Sequence, residues 1–245
     1  MVKKTALVVL LLSPWVLGAT LTVDSGAHLS LVSLTDLNEF ISLVNQVIAA
    51  VEDRPDVEGE VPPLAPLRNG VGLVLGEAIG DGIAFGARVA LGSWESATAG
   101  MWTSEGVGYP VSLSLRAEFL AVEGQLRFQV VPGLLSLGMA VGWGMANLDY
   151  SCSFEMPPDW GLAWQPQLME TTFRAAGPVG EVSARVSLPV TSGLSFGVEA
   201  GVRLAGLGVP RAGDTPLDLD GNGKGEKLEL TGLWLGICVQ FAFAL

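Results

Sequence analysis

The chain has 245 residues, 49% hydrophobic and only 16% charged, with 32 glycines, a net charge of −12 and a mean hydropathy of +0.48. Such an acidic excess excludes a nucleic-acid partner, which calls for a basic surface. So few charges also leave too little polarity to coat a water-exposed exterior.

High hydropathy usually comes from membrane-spanning helices, yet only one uninterrupted apolar run exists. It lies in "MVKKTALVVLLLSPWVLGAT", where Lys3 and Lys4 precede an apolar stretch from Ala6 to Leu12 and then small residues. This is the layout of a secretory signal peptide over residues 1–18, and it is too short for a membrane anchor. Val16 and Gly18 suit the positions before a cut after Gly18. Cleavage there leaves 11 basic against 25 acidic residues, a net charge of −14.

The rest of the chain, 19–245, alternates bulky and small residues with period two, the mark of extended strands. Residues 135–146, "LSLGMAVGWGMA", carry Leu, Leu, Met, Val, Trp and Met on one side and Ser, Gly or Ala on the other. Strands are expected near 20–32, 70–79, 82–94, 113–131, 134–147, 178–190, 193–206 and 228–245. In the 113–131 segment the apolar phase changes, and a β-bulge near Phe119 accounts for it. Short turns at Gly80–Gly82, Val131–Gly133 and Val190–Gly193 alternate with long loops at 33–69, 95–112, 148–177 and 207–227.

Each strand is long enough to cross a hydrocarbon layer at a tilt, and closure into a barrel leaves no unpaired edge in lipid. The bulky flank then meets lipid, and the small flank lines a narrow bore. The expected fold is all-β: an eight-stranded antiparallel up-and-down transmembrane barrel. It resembles the small eight-stranded outer-membrane barrels, such as the membrane domain of outer-membrane protein A and the X-type proteins. The resemblance implies an integral outer-membrane location, outer-membrane lipid around the barrel, and assembly by the barrel-insertion machinery. That machinery usually reads a terminal aromatic residue, whereas "VQFAFAL" places Phe241 and Phe243 in phase and ends in Leu245.

Two segments break the strand pattern. Residues 34–52 carry an apolar helical stripe of Leu37, Phe40, Ile41, Val44, Val47, Ile48 and Val51. Ser33 or Thr35 is placed to cap this amphipathic helix, which has three possible seats: the membrane interface, the barrel mouth or the lumen. An acidic, proline-rich loop, 53–69, follows it. Trp94, Trp102, Tyr109, Tyr150, Trp160 and Trp164 gather at the loop-side strand ends, where they suit either an interfacial girdle or loop packing.

On the inward phase lie Asp24, His28, Arg88, Glu123, Arg127, Glu181, Arg185, Glu199 and Arg203. Residues four apart on a strand stand ~13 Å apart, so each Glu is expected to pair with an Arg of a neighbouring strand. A salt-bridged plug is the reading preferred here. A narrow ion path and a catalytic carboxylate pair are the alternatives, and His28 is the sole histidine available for hydrolase chemistry. Cys152, in a long loop, and Cys238, in mid-strand, are not expected to form a disulfide.

The last long loop reads "DLDGNGKGEKLE" and fits the calcium-loop pattern D-x-[DN]-x-[DN]-G-x5-E. Ca²⁺ would take oxygens from Asp218, Asp220, Asn222, the Lys224 carbonyl, Glu226 and Glu229. A glycine-rich acidic turn is the alternative, because Gly225 stands where an apolar residue is usual and a strand follows. The expected role is structural or surface-interacting and non-enzymatic, for a monomer whose long loops meet an extracellular ligand. A narrow passive, porin-like pore, a lipid-acting enzyme and a soluble secreted β-sandwich are the competing readings.

Overall fold

The computed structural model of the chain describes residues 20–154, 169–218 and 224–244. The signal-like segment, Trp160, Trp164, Asp220 and Asn222 lie outside them. Eight long strands are β1 (Thr20–Ser33), β3 (Asn69–Ile79), β4 (Ile83–Ser104), β5 (Val107–Val131), β6 (Leu135–Phe154), β7 (Met169–Thr191), β8 (Leu194–Ala205) and β11 (Thr231–Ala244). Each pairs antiparallel with its neighbours in that order, and β11 returns to β1 from Thr20↔Ala244 to Ser33↔Thr231, so the sheet closes on itself. Short strands β2 (Val57–Glu60) and β9 (Arg211–Ala212) add to β4 and β7, and β10 (Thr215–Pro216) adds to β9.

The strands are longer than the alternation of bulky residues suggested. Most of 95–112 and part of 148–177 are not loops but ladder, and β4 and β5 stay paired up to Ser104↔Val107. Glu105 and Gly106 turn that corner, both at positive φ (52° and 77°), which matches the right-handed twist of a tight hairpin. Nor is there a bulge at Phe119. The β5 register runs unbroken through it on both sides, and the shift on β5 lies at Gln129/Val131, beside the turn.

The apolar phase changes on β5 because the surroundings change. From the turn end, its inward positions read Arg127, Gln125, Glu123, Ala121, Phe119, Ala117, Leu115 and Leu113. Its outward positions read Leu126, Gly124, Val122, Leu120, Glu118, Arg116, Ser114 and Ser112. At one level the inside turns from charged to apolar and the outside from apolar to polar. The chain therefore has two storeys: the lower is inside-out, and the upper is built like a water-soluble protein.

The upper core holds Leu113, Leu115, Leu148 and Phe173 from β5, β6 and β7, with Trp94 and Trp102 from β4. Helix α1 (Thr35–Glu52) covers it with Leu37, Phe40, Ile41, Val44, Val47, Ile48 and Val51, and Phe40 meets Tyr150 edge-on at 6.0 Å. The helix thus packs over the barrel mouth. The N-cap position falls on Leu34 rather than on Ser33 or Thr35, with no side-chain cap bond from it, while Asp36 accepts the Lys227 backbone N–H at 2.9 Å.

Residues 61–67 are a built strap rather than a loose linker. Asn38, Asn45 and Glu52, seven apart on α1, accept the N–H groups of Leu67, Leu64 and Val61 at 2.7, 2.8 and 2.7 Å. The two asparagines also donate to the Leu67 and Leu64 carbonyls. From β4, Ser96 and Thr98 donate to the Ala65 and Pro62 carbonyls. Seven helical residues rise about 10.5 Å and three extended residues span about 10 Å, so the two repeats keep step. Val61, Leu64 and Leu67 face the core.

Asn45→Ala strands both backbone groups of Leu64. Chemical unfolding should show a loss of about 1–3 kcal/mol, against less than ~0.5 kcal/mol for exposed Gln46→Ala. Equal losses would mean that the strap is not held by these bonds.

Candidate functional site

The lower bore is filled by charge. The upper of two layers joins Arg88 to Glu123 (2.9 Å) and to Glu181, and Arg203 to Glu181. The lower layer joins Asp24 to Arg127 (2.7 Å) and Arg185 (2.8 Å), and Arg185 to Glu199 (2.5 Å). Each layer holds two arginines and two carboxylates, so each is neutral by itself. Buried charges are tolerated when paired and hydrogen-bonded in this way.

Register explains the pairing. Arg88 lies directly opposite Glu123, Arg203 opposite Glu181 and Arg185 opposite Glu199. The Arg88–Glu181, Arg127–Asp24 and Arg185–Asp24 contacts then cross the bore between strands that are not neighbours. Room for these long side chains comes from the bare positions beside them. Gly76 faces Asp24, Gly142 faces Glu123, and Gly232 faces Arg203.

Eight of the nine inward residues expected from the sequence thus form ion pairs. His28 lies in the same bore, 95% buried, but neither ring nitrogen bonds to a described residue. Its ring leans on Trp234 at 5.6 Å between centroids, and it fits only because Gly72 is bare: a Cβ there would stand 2.4 Å from Nε2.

Reading formal charges alone missed several members. Ser183 donates to Glu199 at 2.6 Å, and Gln125 donates to the Glu77 carbonyl at 2.8 Å. The Arg203 guanidinium lies 4.9 Å from the Phe119 ring centre, and that of Arg88 lies 5.8 Å from Trp234. Ser183 and Gln125 sit between charged residues on the same strand face, and that spacing was the available signal.

The bore is blind. A vestibule of about 200 Å³ lies at the turn end, lined in part by Thr22, Gln129, Ser195, Gln240 and Arg127. Beyond both ion-pair layers lies the apolar core of the upper storey. Trp94, Trp102 and Tyr150 are buried in that core and Tyr109 is half-buried against it, so none of these four forms a loop-side girdle. The exposed phenylalanines stand instead at the turn end: Phe85, Phe196, Phe241 and Phe243.

Both cysteines are free and buried. Burial pushes the Cys152 thiol above its ordinary range, and it pushes the neighbouring Tyr150 phenol higher still, so neither is poised as an anionic nucleophile.

The ends of the acidic loop are pinned: Leu217 donates to the Pro210 carbonyl, and Glu226 donates to that of Leu217. Glu226 is buried, whereas Glu229 is exposed and bridges Gly206. Asp218 and Lys224 flank the undescribed 219–223. Among the described residues, no three of the His, Cys, Asp and Glu side chains gather as a metal site.

No protein-family model and no curated protein matches the chain. Among solved structures, the strand arrangement is similar to that of Ail, the attachment invasion locus protein of Yersinia pestis, in complex with the heparin analogue sucrose octasulfate. The TM-score is 0.38 and the identity 9%, covering 94% of this chain and 99% of that one. The outer membrane protease OmpT of Escherichia coli follows at 0.34 and 7%, covering 95% and 98%. The translocator domain of the autotransporter NalP of Neisseria meningitidis gives 0.28 and 10%, covering 95% and 91%. Likenesses this distant do not decide the role of this chain.

Glu181 holds two arginines, so Glu181→Gln should cost about 3–5 kcal/mol in unfolding. Pairing it with Arg203→Met restores neutrality to the upper layer and should recover part of the loss. A double variant worse than the single one would show that charge balance is not what holds the layer together.

Proposed function

We propose that the chain is a monomeric integral outer-membrane β-barrel with a plugged lumen and a structural or surface-interaction role. The observation that carries this reading is the inversion of polarity at one level of the wall. Below it, Leu73, Phe85, Val141, Leu188 and Ile237 are more than half exposed while Arg203, Glu181 and Glu123 are buried. On β11 the exposed apolar positions run from Leu233 to Phe243. Ten residues at 3.4 Å and a tilt of ~40° give a band about 26 Å tall, close to that of outer-membrane barrels. No described helix is long and apolar enough to cross a membrane, so strands are the spanning elements of this reading.

The same observation counts against a soluble sandwich, whose apolar side would be the buried one. Two neutral ion-pair layers beneath an apolar core favour a plug over a pore. The buried, unbonded ring of His28 favours a non-enzymatic role, since a general base needs a nucleophile within hydrogen-bond reach. In planar bilayers the purified protein should give no steady unit currents. Their appearance would replace the plug by a pore.

Calcium at the acidic loop is a separate proposal. Asp218, Asp220 and Asn222 would supply side-chain oxygens and Lys224 a carbonyl, and the ion would staple the segment between the pinned residues Leu217 and Glu226. Glu226 and Glu229 would complete the set only by turning toward one another. Calorimetric titration should give weak binding of about millimolar Kd, lost in Asp220→Ala. Absence of heat ends the idea.

A further inference from the structure

We propose that the outer wall of the barrel carries a site for one phosphate-bearing lipid of the loop-side leaflet, an inference that rests on the membrane reading above. Two observations meet at this place. A groove of about 1220 Å³ runs across the outside of the wall. It is lined by Leu73, Leu91, Leu120 and Met145, with Ile237 toward one end and Arg174 at the other. The hydrogen-bond register makes its path explicit: Ile237, Ala27, Leu73, Leu91, Leu120 and Met145 are successive partners across six strands. Arg174 belongs to the adjacent row, beside Asn147. The groove therefore descends obliquely from the polar edge into the apolar band, as an acyl chain entering from a headgroup would.

At the polar end, two like charges face each other. Arg174 on β7 is the direct partner of Arg211 on β9, and both side chains are exposed. Like charges directly opposite one another across strands are destabilising. Neither arginine makes an ion pair among the described residues. Arg211 donates to the Asp214 backbone carbonyl at 3.0 Å, and Glu118, also in the groove wall, is paired with Arg116 at 2.7 Å. Two arginines at partnered positions on the same face can turn both guanidinium groups to one phosphate, whose oxygens accept from both. The strand spacing gives the groove a length of about 29 Å. That exceeds the ~15 Å depth of one leaflet of a ~30 Å hydrocarbon core, so one acyl chain fits along it.

The test uses the full chain in neutral detergent, offered equal amounts of dimyristoyl phosphatidic acid and dimyristoyl phosphatidylcholine, with retained lipid counted by native mass spectrometry. One phosphatidic acid per barrel should be retained, about tenfold in preference to phosphatidylcholine, and Arg174→Gln or Arg211→Gln should each remove most of that preference. Arg54→Gln, at an exposed pair with Asp56, should leave it intact. Without anionic lipid, Arg211→Gln should raise the thermal midpoint, because it removes the repulsion. Equal retention of the two lipids, or a preference unchanged in both variants, overturns the site. Competition by inorganic phosphate as effective as that by the lipid overturns its acyl part and with it the proposal. Flotation with liposomes separates the levels: a barrel that floats without lipid preference refutes this inference alone, and one that does not float refutes the membrane reading as well.

Discussion

Everything in the molecule depends on closure. The ladder between the first and last strands is as long as either strand, so no row of backbone N–H and C=O groups is left open on the barrel. Closing eight strands fixes a bore just wide enough for side chains to fill. Within that fixed volume, large inward residues must alternate around the circumference with nearly bare ones. His28 is flanked on both sides by glycine, Gly72 and Gly236, and Trp94 lies where a Cβ on Gly70 would stand 2.2 Å from its Nε1. The many glycines are the spatial complement of a few very large side chains.

The second constraint is electrical. A narrow bore surrounded by apolar wall offers little solvation, so an unpaired charge there is costly. The chain meets this with arginine only, since no lysine joins either layer. The planar guanidinium suits the geometry, because Arg185 donates to both Asp24 and Glu199, and Arg88 donates to Glu181 while its charge pairs with Glu123. Neutrality within each layer divides the ion pairs of the bore into two units. Neither depends on the other for charge compensation.

This division explains what the sequence could and could not disclose. Period-two alternation located all eight strands, because within the apolar band the bulky flank always faces outward. It misjudged where they stop. Beyond the band the apolar residues move to the inner face, and a continuous strand such as β5 then looks like a phase slip at Phe119 or the start of a loop. The inward charges were legible as Glu and Arg four apart, but their partners were set by register between strands, which single-strand spacing does not carry. The strap was illegible for a related reason. Its proline-rich composition resembles a linker, and the asparagines that hold it are twenty to thirty residues away on α1. The tryptophans misled because an aromatic at a strand end suits the membrane interface and a protein core equally well.

The upper storey changes what the loop side can do. A mouth built from floppy loops would order itself on binding and lose conformational entropy in doing so. Here β4 to β7 rise out of the barrel as ladder, an apolar core fills the space they enclose, and α1 and the strap lock it from the other side. Among the described residues, that side is therefore held by ladder and core. Glu58, Glu60, Glu95, Glu105 and Glu170 are exposed on it. Arg174 and Arg211 stand lower, at the edge of the apolar band. Charge is therefore sorted by height as well as by side: neutral within the bore, positive at one point on the edge of the apolar band, and negative at the exposed glutamates of the upper storey.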